Sequence, residues 1–132
     1  MATISSVKGA QNMAIDLTKK DGIVYVLEKT EGLDQKWNEA SSEGPNKNSV
    51  SYQNVLTKAF MYPDDRQQNT DGVRTKQGSK YQWTKQTAGD HFQLMIQSGD
   101  SIKAIKFLAN NQPVKLADLD PDDDAFLWDI TS

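Results

Sequence analysis

Apolar and polar residues alternate along this chain in short runs. Phe92, Leu94 and Ile96 alternate with Gln93, Met95 and Gln97, the two-residue period of a half-buried strand. Val24 and Val26 stand opposite Tyr25 and Leu27, which predicts a strand covered on both faces. Val50 and Tyr52 alternate with serines, and Val114 and Leu116 repeat the pattern more weakly. Turn signals punctuate these runs: Asp21-Gly22, Glu43-Gly44-Pro45, Pro63-Asp64-Asp65, Asp71-Gly72, Gly89-Asp90, Ser98-Gly99-Asp100 and Asn110-Asn111. No stretch of ten or more residues keeps a helical stripe. The pattern predicts an all-β protein.

A longer period lies over the short one. The three tryptophans, Trp37, Trp83 and Trp128, are separated by 46 and 45 residues. Ahead of each runs a small-large segment: Met13-Ala14-Ile15-Asp16-Leu17, Lys58-Ala59-Phe60-Met61-Tyr62 and Lys103-Ala104-Ile105-Lys106-Phe107. Their alanines fall 45 residues apart, and each precedes its tryptophan by 23 or 24 residues. Two landmarks in one phase indicate three copies of about 44 residues, approximately 1–43, 44–89 and 90–132, within a single domain spanning 1–132. On this spacing Ala14, Ala59 and Ala104 are expected to superpose. Large, equivalent and periodic tryptophans read as core.

Three all-β units of this length, each ending in a tryptophan strand, resemble the β-trefoil. In that fold three four-stranded units build a six-stranded barrel closed at one end by three hairpins. The first copy carries a more specific likeness. Val7, Ala14-Ile15-Asp16-Leu17, Asp21-Gly22 and the closing Gly32-Leu33-Asp34-Gln35-Lys36-Trp37 resemble the ricin-B-type lectin unit, in its cysteine-free fungal and bacterial kind. That family has an apolar-Asp pair after its second strand, a Gly-containing turn and a closing Asn-Gln-x-Trp. The resemblance implies a carbohydrate site in the first repeat, with Asp16 as acceptor and Asp34 as its partner. Gln35 serves either the ligand or the fold, and Tyr25 is the nearest aromatic to where the family places a stacking ring.

The chemistry suits a sugar. A carboxylate on a rigid strand end accepts two hydroxyl hydrogen bonds, which its charge strengthens. An amide adds directional contacts, and an aromatic ring covers the C–H face. In the second and third copies Met61 and Lys106 stand where the alanine alignment places Asp16, and Tyr81 and Phe126 replace Gln35. Those copies are expected to have lost the pattern, which makes binding monovalent. Cross-linking of cells then requires a homodimer or larger assembly.

Composition narrows the remaining classes. The chain has 132 residues, 36% hydrophobic and 25% charged, enough for one core. It has no cysteine, which excludes disulfides and Cys-rich zinc sites. Fifteen Lys and Arg are scattered among eighteen Asp and Glu, for a net charge of −3, so no basic stripe favours nucleic acid. No apolar run is long enough for membrane insertion, and the first twenty residues lack a signal-peptide core. The expectation is a cytoplasmic protein, or one released without a signal peptide. Nineteen Asn and Gln provide a surface suited to hydroxyl recognition.

Other constellations are weaker. Asp118, Asp120 and Asp122 alternate like the start of an EF-hand loop, with Asp129 at the twelfth position. The sixth position is Asp123 and not Gly, Pro121 interrupts the loop, and a tryptophan strand follows. A solvated loop is the expectation, with no metal and no cofactor. His91 has no thiol to activate and is expected at a strand end facing solvent. No acid pair lies in an apolar surround that would raise its pKa. The sequence therefore predicts a non-enzymatic glycan- or glycoprotein-binding lectin. Its alternatives are a trefoil protease inhibitor acting through a loop at Pro63–Lys80, and a trefoil protein-interaction module.

Overall fold

The computed structural model describes residues 1–42, 48–64 and 72–132. The expected turn at Glu43-Gly44-Pro45, Asp71, and the centre of the candidate inhibitory loop (Asp65, Arg66, Gln67 and Gln68) lie outside the described residues. The chain is all-β and carries twelve described strands: β1 (Thr3–Ser6), β2 (Asn12–Ile15), β3 (Val24–Leu27), β4 (Trp37–Ser41), β5 (Ser49–Asn54), β6 (Phe60–Pro63), β7 (Val73–Lys76), β8 (Trp83–Ala88), β9 (His91–Ser98), β10 (Ser101–Lys106), β11 (Lys115–Asp118) and β12 (Trp128–Thr131). Single 3-10 turns at Leu33–Gln35 and Asp124–Phe126 lead into β4 and β12.

Antiparallel pairing joins β4 to β5, β5 to β8, β8 to β9, β9 to β12 and β12 to β1. The circle closes through the Ala2–Trp37 bridge, whose two backbone hydrogen bonds measure 2.7 and 2.9 Å. Closure leaves the six-stranded barrel without a free edge. The hairpins β2–β3, β6–β7 and β10–β11 meet one another through the bridges Ile23–Arg74, Gly72–Lys115 and Tyr25–Pro113. This is a β-trefoil.

Each tryptophan is fully buried and ties a barrel strand to a hairpin. Trp37 donates its indole N–H to the Met13 carbonyl at 3.2 Å, Trp83 to Met61 at 2.9 Å and Trp128 to Ile105 at 2.9 Å. A buried indole N–H needs such an acceptor, so these bonds mark equivalent positions in the three repeats. Met13, Met61 and Ile105 are themselves fully buried. The inter-hairpin bridges give the same alignment, because Ile23, Gly72 and Pro113 each stand three residues before the partner of Met13, Met61 or Ile105.

This alignment corrects the one drawn from the alanines. Ala14 lies one residue after its indole acceptor, whereas Ala104 lies one before and Ala59 two before. The three alanines do not superpose. All are buried, since any small residue beside the barrel wall is tolerated there, and their 45-residue spacing follows no structural register. The position of Asp16 is taken by Asp64 in the second repeat and Leu108 in the third, not by Met61 and Lys106.

Candidate functional site

The first-repeat hairpin turns through residues 16–23, a loop organised by two aspartates. Asp16 follows β2 directly, and its Oδ1 accepts hydrogen bonds from the Thr18 amide at 3.0 Å and the Thr18 hydroxyl at 2.6 Å. The Lys19 backbone amide adds a further, weaker contact to the carboxylate. The Thr18 hydroxyl and then its amide hold the Asp16 carboxyl below the usual carboxylate range, with Lys19 adding to the effect. Asp21 forms the second such turn, its Oδ1 accepting from the Ile23 amide at 3.0 Å.

The Tyr25 ring is buried, and its hydroxyl donates to Asp21 Oδ2 at 2.9 Å. Burial, followed by that bond and the charges of Asp21 and Asp16, pushes the tyrosine up to about 12. The hydroxyl therefore stays protonated and remains a donor at neutral pH. The structure thus brings Asp16 and Tyr25 into one electrostatic neighbourhood with Asp21. Tyr25 offers this neighbourhood a fixed hydroxyl and little ring face.

Asp34 and Gln35 sit at the opposite end of the hairpin. Gln35 is buried; its Oε1 accepts from Asn12 Nδ2 at 2.9 Å and the Thr30 amide at 3.0 Å, and its Nε2 donates to the Glu28 carbonyl at 2.6 Å. Its hydrogen-bonding capacity goes to bracing the segment between β3 and β4. Phe126 fills the matching position of the third repeat as a buried ring, so this place belongs to the interior. The Asp34 carboxylate folds back over Gly32, where a Cβ would lie 2.3 Å from Oδ1, and the Asp34 carbonyl accepts from Asn54 Nδ2 at 2.9 Å. Asn12, the contact of Gln35, lies four residues before Asp16, roughly 13 Å along an extended strand.

The second repeat places Asp64 where the first has Asp16, but Asp64 is only 3% exposed. In the third repeat the same position is Leu108, which is exposed. The sequence treated Asp21 only as a turn residue; its four-residue spacing from Tyr25 was the available signal. His91 opens β9 half-buried, with Nδ1 2.6 Å from Asp129 Oδ1, a partner 38 residues away in sequence. In the acidic run, Asp120 accepts from the Asp122 amide at 3.0 Å and Asp123 caps the Asp124–Phe126 turn through the Ala125 amide at 2.9 Å. That amide bond, with help from Lys106, lowers the Asp123 carboxyl from its usual value. No cluster of metal-binding side chains occurs among the described residues.

The barrel, its three hairpin caps and its three indole bonds define the class of the molecule as a β-trefoil. Within that class the chain is similar in structure to ricin B-like lectins. The Macrolepiota procera ricin B-like lectin in complex with lactose matches with a TM-score of 0.79 at 10% identity, over 98% of this chain and 94% of that one. The Rhizoctonia solani agglutinin matches with a TM-score of 0.78 at 16% identity, over 98% and 92%. The designed threefold-symmetric protein ThreeFoil matches with a TM-score of 0.81 at 15% identity, over 99% and 97%. No protein-family model matches the sequence, and neither does any curated protein sequence. At these identities the likeness carries the fold.

Proposed function

We propose that this chain is a non-enzymatic carbohydrate-binding protein, a small lectin, with its site on the β2–β3 hairpin of the first repeat. The observation that carries this reading is Asp16: a carboxylate at the end of β2, locked by Thr18 and held below the usual carboxylate range. Such an acceptor meets sugar hydroxyls without reorganising. The Tyr25–Asp21 pair offers a fixed polar edge beside it. Asp34 borders the hairpin from its other end, and Gln35 acts only by holding the β3–β4 segment in place. The structural likeness to a lectin solved with lactose supports the ligand class.

Binding through this hairpin is monovalent, since the matching aspartate of the second repeat is buried and the third repeat has Leu108. Agglutination accordingly requires a homodimer or larger assembly. A glycan array run beside a protease-inhibition panel tests the reading. Binding on the array with silence on the panel is expected; inhibition without glycan binding would replace the lectin with the inhibitor.

A further inference from the structure

A second concave surface lies away from the hairpin, where the first and third repeats meet. It is a cleft of about 580 Å³, within the range of roughly 300–1,000 Å³ common for small-ligand sites. Its floor is the outward face of the β1–β12 ladder, on which Thr3 pairs with Thr131 and Ser5 with Asp129. The segment carrying Lys29, Thr30 and Glu31 forms one wall, and Asp90 with Phe92 lines the other.

The floor is already ordered. The Thr3 and Thr131 hydroxyls are 2.7 Å apart, and Ser5 donates to Asn12 Oδ1 at 2.6 Å. Asn12 in turn donates to buried Gln35, so the network is rooted in the interior. The charges at the cleft are mixed and partly matched: Lys36 lies 4.0 Å from Glu31, and Asp129 bonds His91. A lining of that kind favours neither an anion nor a cation. Hydroxyls and carboxylate acceptors on the floor and walls, with Phe92 as apolar surface, suit a neutral ligand with many hydroxyls and apolar C–H faces.

We propose that this cleft is a second saccharide subsite, which takes a neutral di- or oligosaccharide across the seam of the first and third repeats. The inference rests on the reading of the chain as carbohydrate-binding, but not on the hairpin site. Asn12 at the cleft and Asp16 at the hairpin loop stand at opposite ends of β2.

The test is an amide chemical-shift titration of the full chain with lactose, cellobiose and N,N′-diacetylchitobiose. Saturable shifts of Thr3, Thr30, Asp90 and Thr131 are expected with at least one of them. The Asp90→Ala/Thr131→Val variant, altered only at exposed positions, should weaken that binding about tenfold, and Asp16→Ala should leave it unchanged. Shifts confined to Thr18, Gly22 and Ile23 would overturn the cleft subsite and leave the hairpin site standing. Cleft shifts without hairpin shifts would support the subsite and overturn the hairpin site. Cleft shifts that the double variant leaves intact overturn the subsite, and silence with all three sugars overturns both.

Discussion

The hairpins of the first and third repeats share an inward face and diverge on the outward one. Met13 and Ile105 receive the tryptophan bonds, Val24 and Val114 are both fully buried, and Ile15 and Phe107 both pack into the core. Outward, Asp16 corresponds to exposed Leu108, and Tyr25 to Lys115. The barrel needs an apolar plug of fixed volume from each hairpin, and close packing punishes any change there. Exposed positions such as Leu108 and Lys115 answer only to solvent or a ligand. The carboxylate that the first hairpin holds in place and the third lacks is therefore the feature most informative about function.

Removing a shared element should have the largest effect. Trp83→Ala deletes a fully buried ring and strands the Met61 carbonyl, and should cost about 3–5 kcal/mol in urea unfolding. A loss under about 1 kcal/mol would mean that the indole bonds do not define the repeats.

Gln35 is where the interiors differ. Gln35→Ala leaves the Thr30 amide, the Glu28 carbonyl and Asn12 short of a partner, and should cost about 1–3 kcal/mol. Sugar affinity at the hairpin should change little in the folded variant. A large affinity loss without a stability loss would return Gln35 to the ligand.

A smaller effect sharpens the contrast at Asp16. Its carboxyl is lowered mainly by Thr18, so its ionised form persists as the pH falls through the ordinary aspartate value of about 3.9. Sugar binding should hold from neutral pH to that region and fail only below it. Thr18→Val removes the hydroxyl bond and should move the failure upward in pH. An unchanged profile in a binding-competent variant would show that Asp16 does not control the site.

The parts legible in the sequence were those set by the barrel. The tryptophan period survives because each ring must reach the same depth, whatever the loops contain. The doubly covered strand at Val24–Val26 was readable for the same reason and is buried as expected. The alternation read for β9 holds only at Leu94: Gln93 is buried beside it, and Phe92 and Ile96 are half-buried. Hairpin register was not readable. The distance from indole acceptor to tryptophan is 24, 22 and 23 residues in the three repeats, so loop-length differences offset one another between successive tryptophans. Small-large pairs near the right spacing then suggested a false alignment and hid Asp64 behind Met61. The Asp21–Tyr25 bond leaves only a four-residue spacing, which becomes a contact through the way the loop folds back. His91–Asp129 rests on pairing across 38 residues, which leaves no local pattern.

The central claim is that a held, ionised Asp16 makes the first hairpin a sugar site. Isothermal titration of the tightest array ligand into the native protein and Asp16→Ala tests it most directly. Loss of about 1.5–3 kcal/mol of binding free energy is predicted, roughly ten- to 150-fold in Kd, with the thermal midpoint nearly unchanged. Equal affinity in the two proteins would contradict the claim and move the sugar to another part of the trefoil.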